Sequence, residues 1–256
     1  MNELGSSQIF FPNQKSEEWR KISFRGIPND WFLPIQNSGL VLKNKLREKL
    51  NNDYFLLESI QNSTPIIIDN LEKEFYHEKI FKDALSRDVV SIQVKANTEL
   101  DLHFKFQSHS DREISGSNVS IILYIPENSK VNLKVFLDYH STHISFLNIF
   151  SELGRNAKLN SISVLSGGLK GKSRNHCYLQ GEGAEFVSSG LSLLGGRESH
   201  FWDYKAIHDN NHQFSNILHK ASVSSRSHHV FMGNLDIPPH LKGVQSSQLS
   251  QNLLLD

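Results

Sequence analysis

From Val89 onward the chain is written in short runs of alternating polar and apolar residues. A period of two is the mark of strands that bury one face, and it constrains this stretch more than any other feature. Ser91–Val94, Glu99–Phe106, Lys130–Val135 and Lys158–Val164 carry it most clearly, and Ala184–Leu194, Phe214–Leu218, Val230–Leu235 and Val244–Leu249 continue it. The runs recur roughly every ten to fifteen residues, an even spacing that fits a sandwich, a barrel or a β-solenoid. Gly116, Asn128, Gly154, Gly167-Gly168, Gly181, Gly183 and Gly195-Gly196 fill the gaps. No leucine-rich or hexapeptide repeat is present. Asn-Gly and Asp-Gly hairpin dipeptides are absent, which disfavours a simple meander. A parallel β-helix stacks non-identical turns and tolerates such irregularity. The pattern by itself leaves the β-helix and the sandwich open.

Before this stretch the sequence is mixed. Ser16-Glu17-Glu18-Trp19-Arg20 has the polar start and early acids of a helix N-terminus. Val41, Leu42, Leu46 and Leu50 sit near helical spacing among charges, and Leu71–Ser86 holds a helix or a loop with one turn. The expected division is a mixed, helical region over residues 1–85 and a β core over 86–256.

The charge balance is neutral, 27 Lys plus Arg against 27 Asp plus Glu, with no basic block, so a nucleic-acid partner is not expected. Cys177 is the only cysteine, which excludes an in-chain disulfide and a Cys₄ or Cys₃His metal site. This usage fits a reducing, cytoplasmic compartment. Met1–Gly5 lacks the basic start and apolar core of a secretory signal. Apolar runs such as Ile121–Ile125 are far too short to span a bilayer, so no membrane association is expected.

Several passages invite chemistry. Ser166–Ser173 differs by one residue from a phosphate-binding loop, but strand-like residues follow it where a helix N-terminus is required, so it reads as a basic glycine turn. His208 and His212, four apart, are the candidate metal ligands, although the Glu of the helical zinc motif is missing and Asn210-Asn211 favour a turn. His219, His228, His229 and His240 follow in the same histidine-rich region. His176 adjoins Cys177, but neighbours on a strand point to opposite faces, so no nucleophile–base pair is expected. Glu198 and Asp203 have no fixed separation that would make them an acid/base pair. No catalytic and no cofactor-binding residue is assigned.

Two passages resemble the SufB/SufD family of iron–sulfur cluster assembly proteins. Pro12–Arg20, with Trp19, looks like the family's N-terminal Pro-x-x-Lys-x-Glu-Glu-Trp-Arg/Lys element. His208, Ser215, Lys220, Phe231 and Gly233 keep the family's order and spacing, and Gln248 with Asn252-Leu253-Leu254-Leu255 matches its closing Gln-x-x-x-Asn-Leu-Leu-Leu segment. SufD is the nearer member, because the cysteines of SufB are absent apart from Cys177.

The resemblance implies a right-handed parallel β-helix after a small N-terminal α-helical region. It also implies a non-enzymatic scaffold that pairs with a SufB-like subunit and acts with a SufC-like ATPase. No cofactor would be stably bound; iron or an iron–sulfur cluster would be met transiently at a partner interface. The signature residues would serve turn geometry and rung packing. In the family a helical domain with a Ser-His-Gly motif follows the leucines. Its expected absence here would weaken ATPase docking and leave Leu253, Leu254 and Leu255 uncovered. The rival readings are a β-helix carbohydrate-active enzyme and a histidine-bearing metal-binding module.

Overall fold

The computed structural model describes residues 56–57, 66–67, 88–108 and 115–256. The helices expected near Ser16–Arg20, Val41–Leu50 and Leu71–Ser86 lie outside these residues, and so does Trp19.

Fourteen strands are present among the described residues: β1 (Leu56–Leu57), β2 (Ile66–Ile67), β3 (Asp88–Gln93), β4 (Glu99–Gln107), β5 (Ser115–Ile125), β6 (Lys130–Tyr139), β7 (His143–Leu153), β8 (Lys158–Gly167), β9 (Lys170–Leu179), β10 (Glu185–Leu194), β11 (Ser199–His208), β12 (Phe214–Ser224), β13 (His228–Asp236) and β14 (Gln245–Leu255). Successive strands alternate between two sheets. One sheet has the order β1-β4-β6-β8-β10-β12-β14 and the other β13-β11-β9-β7-β5-β3-β2. Every pairing among β3 to β14 is parallel. The chain is therefore a parallel β-solenoid of about five turns, and the sandwich is excluded. Among the described residues only β1 and β2, which the sequence pattern did not reveal, pair antiparallel, with β4 and β3.

The alternating runs explain the first sheet. On β4, Leu100, Leu102, Phe104 and Phe106 point inward, and on β6 Val131, Leu133, Val135 and Leu137 do the same. In the second sheet β7, β9 and β11 are buried on both faces, so their sequences do not alternate.

The solenoid turns at a stacked column of left-handed residues: Asn97, Asn128, Asn156, Gly183, His212 and Gly243 all have positive φ. Asn and Gly bear this conformation at least cost. The column is laced by backbone bonds. The N–H of Asn97, Asn128, Asn156, Gly183 and His212 donates to the carbonyl of Glu127, Arg155, Glu182, Asn211 and Lys242 in turn. Side chains add a ladder: Asn128 Nδ2 donates to Asn97 Oδ1 at 3.3 Å, and Asn156 Nδ2 to Asn128 Oδ1 at 3.2 Å. Ladder contacts join residues 28 or 31 positions apart, so the coil length varies and no strict repeat is visible in the sequence.

The interior changes character along the axis. One inward row reads Phe104, Val135, Ser163, Gly190, His219, Ser250; the next reads Phe106, Leu137, Leu165, Ser192, Ala221, Asn252. The early coils have an oily core, and the later ones have a polar interior. Leu253, Leu254 and Leu255 on β14 are 60, 77 and 49% exposed.

Candidate functional site

The polar interior is centred on His219 of β12, which is fully buried. Its Nδ1 pairs with the Tyr204 hydroxyl at 3.0 Å, and its Nε2 lies 3.2 Å from Ser192 Oγ and 3.1 Å from His229 Nε2. Trp202 Nε1 donates to the same serine oxygen at 2.8 Å. The rings of His219 and His229 stack with centroids 4.9 Å apart, and Trp202, Tyr204 and Phe231 close around His219. Further back along the axis His200 on β11 pairs with Ser173 at 2.9 Å, and His143 on β7 pairs with Ser117 at 3.0 Å. The buried imidazoles of His143, His200 and His219 thus each have a hydroxyl partner.

Burial holds these imidazoles neutral. It pulls His219 and His200 down to about 3, helped by repulsion from neighbouring histidines, and His143 to about 4. His229 falls to about 4, mainly through burial and the neighbouring His228, while Asn252 opposes the shift.

Most of the residues singled out in the sequence converge here. His208 is fully buried and spends both ring nitrogens, Nδ1 on Gln213 Oε1 at 3.1 Å and Nε2 on Ser215 Oγ at 2.9 Å. Ser215 pairs onward with Ser246 at 2.5 Å. Gln213 fixes the corner by donating to the carbonyls of Leu179 and Gly181. Phe231 packs on Tyr204 and His219. A side chain at Gly233 would collide with Gln248, so the glycine makes room for the inward amide. Asn252 lies against His229. Lys220 alone leaves the network, because it faces outward and is exposed.

The two candidate metal ligands have different surroundings. His208 is occupied inside the coil, while His212 sits at a left-handed corner with its ring against Gly243. Among the described residues no three His, Cys, Asp or Glu side chains form a group that could hold a metal ion. The Ser166–Ser173 passage is the end of β8, the connection Gly168-Leu169 and the start of β9, with no helix N-terminus for a phosphate. Its Lys172 is buried, with Nζ 4.9 Å from the centre of the Phe201 ring.

Cys177 is buried in the core, and burial pushes its thiol well above the ordinary range. His176 points to the opposite face and lies 3.2 Å from Asp203. Lys172 and Arg174 approach the same carboxylate at 3.7 and 3.9 Å. Burial alone would raise Asp203, but its bond with His176 and the charges of His176, Lys172 and Arg174 outweigh that and hold it below its usual value. Glu198 instead accepts the Gly195 N–H at a corner, so Glu198 and Asp203 have separate structural partners. No motif marks the Lys172–Arg174–His176–Asp203 cluster in the sequence. Its members alternate on two strands whose intervening residues are also buried.

Comparison with known proteins places this architecture. The family described as SUF system FeS cluster assembly, SufBD core domain, matches residues 79–256. The chain is similar to the iron-sulfur cluster assembly protein SufD of Plasmodium berghei (strain Anka), with 23% identity over 205 residues. That alignment covers 76% of this chain and 15% of the Plasmodium protein, so the chain spans a small part of its relative's length. No helix among the described residues is long and apolar enough to cross a membrane. The family match takes in β3 to β14 and with them the whole polar interior: the chain belongs to the SufB/SufD family of iron–sulfur cluster assembly proteins and is most like SufD.

Proposed function

We propose that the chain is a non-enzymatic scaffold subunit of a cytoplasmic Suf-type assembly complex. It pairs with a SufB-like β-helix subunit and acts with a SufC-like ATPase, while iron or the nascent cluster is cargo met at a partner interface. The observation that carries this reading is that family membership extends over the entire parallel solenoid, residues 79–256. The chemistry of the interior agrees with it. The imidazoles of His143, His200 and His219 are matched to hydroxyls, and the thiol of Cys177 is buried in the core. Such groups hold a shape; none is poised for proton transfer or nucleophilic attack.

The test is reconstitution. Purified SufB-like and SufC-like proteins, ferrous iron, sulfide and ATP are combined with and without this chain, and cluster formation is followed by absorbance. Omission should lower the initial rate about tenfold, and ATP turnover should track the SufC-like protein alone. Assembly at an unchanged rate without the chain, or ATP hydrolysis by the isolated chain, would contradict the reading.

A further inference from the structure

Lys220, the signature residue that the interior does not use, lies in a row on the outer face of the first sheet. Across its five middle strands the row reads Lys105 on β4, Phe136 on β6, Val164 on β8, Leu191 on β10 and Lys220 on β12, with Gln251 on β14 beyond. Phe136 and Leu191 are 41 and 36% exposed. Ile162 and Leu193, two positions away on the same face, are 45 and 44% exposed. An apolar patch thus lies open in the middle of a sheet face, with Lys105 and Lys220 on either side along the row and Lys134 and Asp138 beside Phe136 on β6. Scattered apolar residues need no explanation, but a contiguous rimmed patch marks an interaction surface.

The charges around the patch select its occupant. Lys130 and Lys158, at the edge of this face, are paired with Glu99 and Glu185. Lys105 and Lys220 have no carboxylate partner among the described residues. A second copy laid face to face would set lysine against lysine in either direction along the row. The occupant therefore brings carboxylates. The backbone of β6, β8, β10 and β12 is already paired on both sides. An extended segment laid on this face would find no partner for its own N–H and C=O groups, whereas a helix satisfies them internally. Four strand spacings put the lysines about 19 Å apart. That is the length of a helix of about 13 residues.

We propose that this face docks an amphipathic helix of a partner protein, with its apolar stripe on Phe136, Ile162, Leu191 and Leu193 and carboxylates at both ends on Lys105 and Lys220. The proposal rests on the sheet alone and is independent of the role in cluster assembly.

The probe is a fluorescently labelled synthetic helix of that length, leucine on one stripe and glutamate at both ends, titrated with the protein and read by anisotropy. A control peptide carries lysine in place of glutamate. The glutamate peptide should bind at least tenfold more tightly than the control. Leu191→Asp should abolish binding, and Lys105→Glu with Lys220→Glu should reverse the preference. All three positions are exposed, so these changes leave the core intact. Three outcomes would overturn the proposal: no binding of the glutamate peptide, equal binding of both peptides, or a dimer by light scattering that Leu191→Asp dissolves.

Discussion

Gly190 on β10 and His219 on β12 are register neighbours, and the His219 imidazole fills the space that a side chain at 190 would need. The relationship recurs one sheet away, where a side chain at Gly171 on β9 would strike His200 on β11. Glycine in a strand interior weakens the strand unless something approaches closely. Here an imidazole does, so each glycine and its histidine act as one unit.

Gly190→Ala should therefore push His219 off Tyr204 and Ser192. Overpacking of this kind costs about 1–3 kcal/mol. Urea unfolding should show that loss. Gly195→Ala is the control, because its new methyl meets only Ser224 Oγ at 3.4 Å.

Acid should loosen the later coils first. His200 and His219 stay neutral down to about 3 in the folded chain but take up protons near 6.5 when unfolded. The unfolded state binds more protons across that window, so stability is full above about 6.5 and falls as pH drops toward 3. Each histidine contributes a slope of at most about 1.4 kcal/mol per pH unit. Urea midpoints measured from pH 7 to pH 4 should decline, and His200→Gln with His219→Gln should flatten the decline while lowering stability at pH 7.

The corner column sets a backbone requirement. Asn156 has φ 53° and gives its N–H to Glu182. Asn156→Val forces a branched residue into the left-handed region, at about 1–2 kcal/mol. Asn156→Gly keeps the backbone and loses only the side-chain bond to Asn128, so its thermal midpoint should drop less.

The Cys177 thiol should be silent. It is fully buried in the core and its ionisation is suppressed. A thiol reagent should leave the native chain unmodified at pH 8 and label one group per chain in denaturant. Rapid labelling of the native protein would show an opening of β9 absent from this structure.

The first sheet was legible in the sequence because one face of each strand meets water. Glu99–Phe106, Lys130–Val135 and Lys158–Val164 alternate and are strands β4, β6 and β8. His143–Leu153 and Ser199–His208 were not recognised as strands, since burial on both faces removes the alternation. The parallel pairing was not legible from pattern alone and came with the family resemblance. The glycines are of two kinds: Gly183, read as a gap, turns a corner, whereas Gly190 and Gly171, not among the gap residues, make room for histidines on partner strands far away in sequence. The signature residues His208, Ser215, Phe231, Gly233, Gln248 and Asn252 do belong to one region. Their companions Gln213, Trp202 and Tyr204 carried no motif, because only the coiling of the chain brings them to His208 and His219.

The most direct test of the scaffold account is native mass spectrometry of this chain mixed with a SufB-like and a SufC-like protein. The account predicts a stable complex in which one copy of this chain pairs with one SufB-like subunit, and which ATP does not disperse. Persistence of this chain as a free monomer, while the SufB-like and SufC-like proteins assemble with each other, would contradict it.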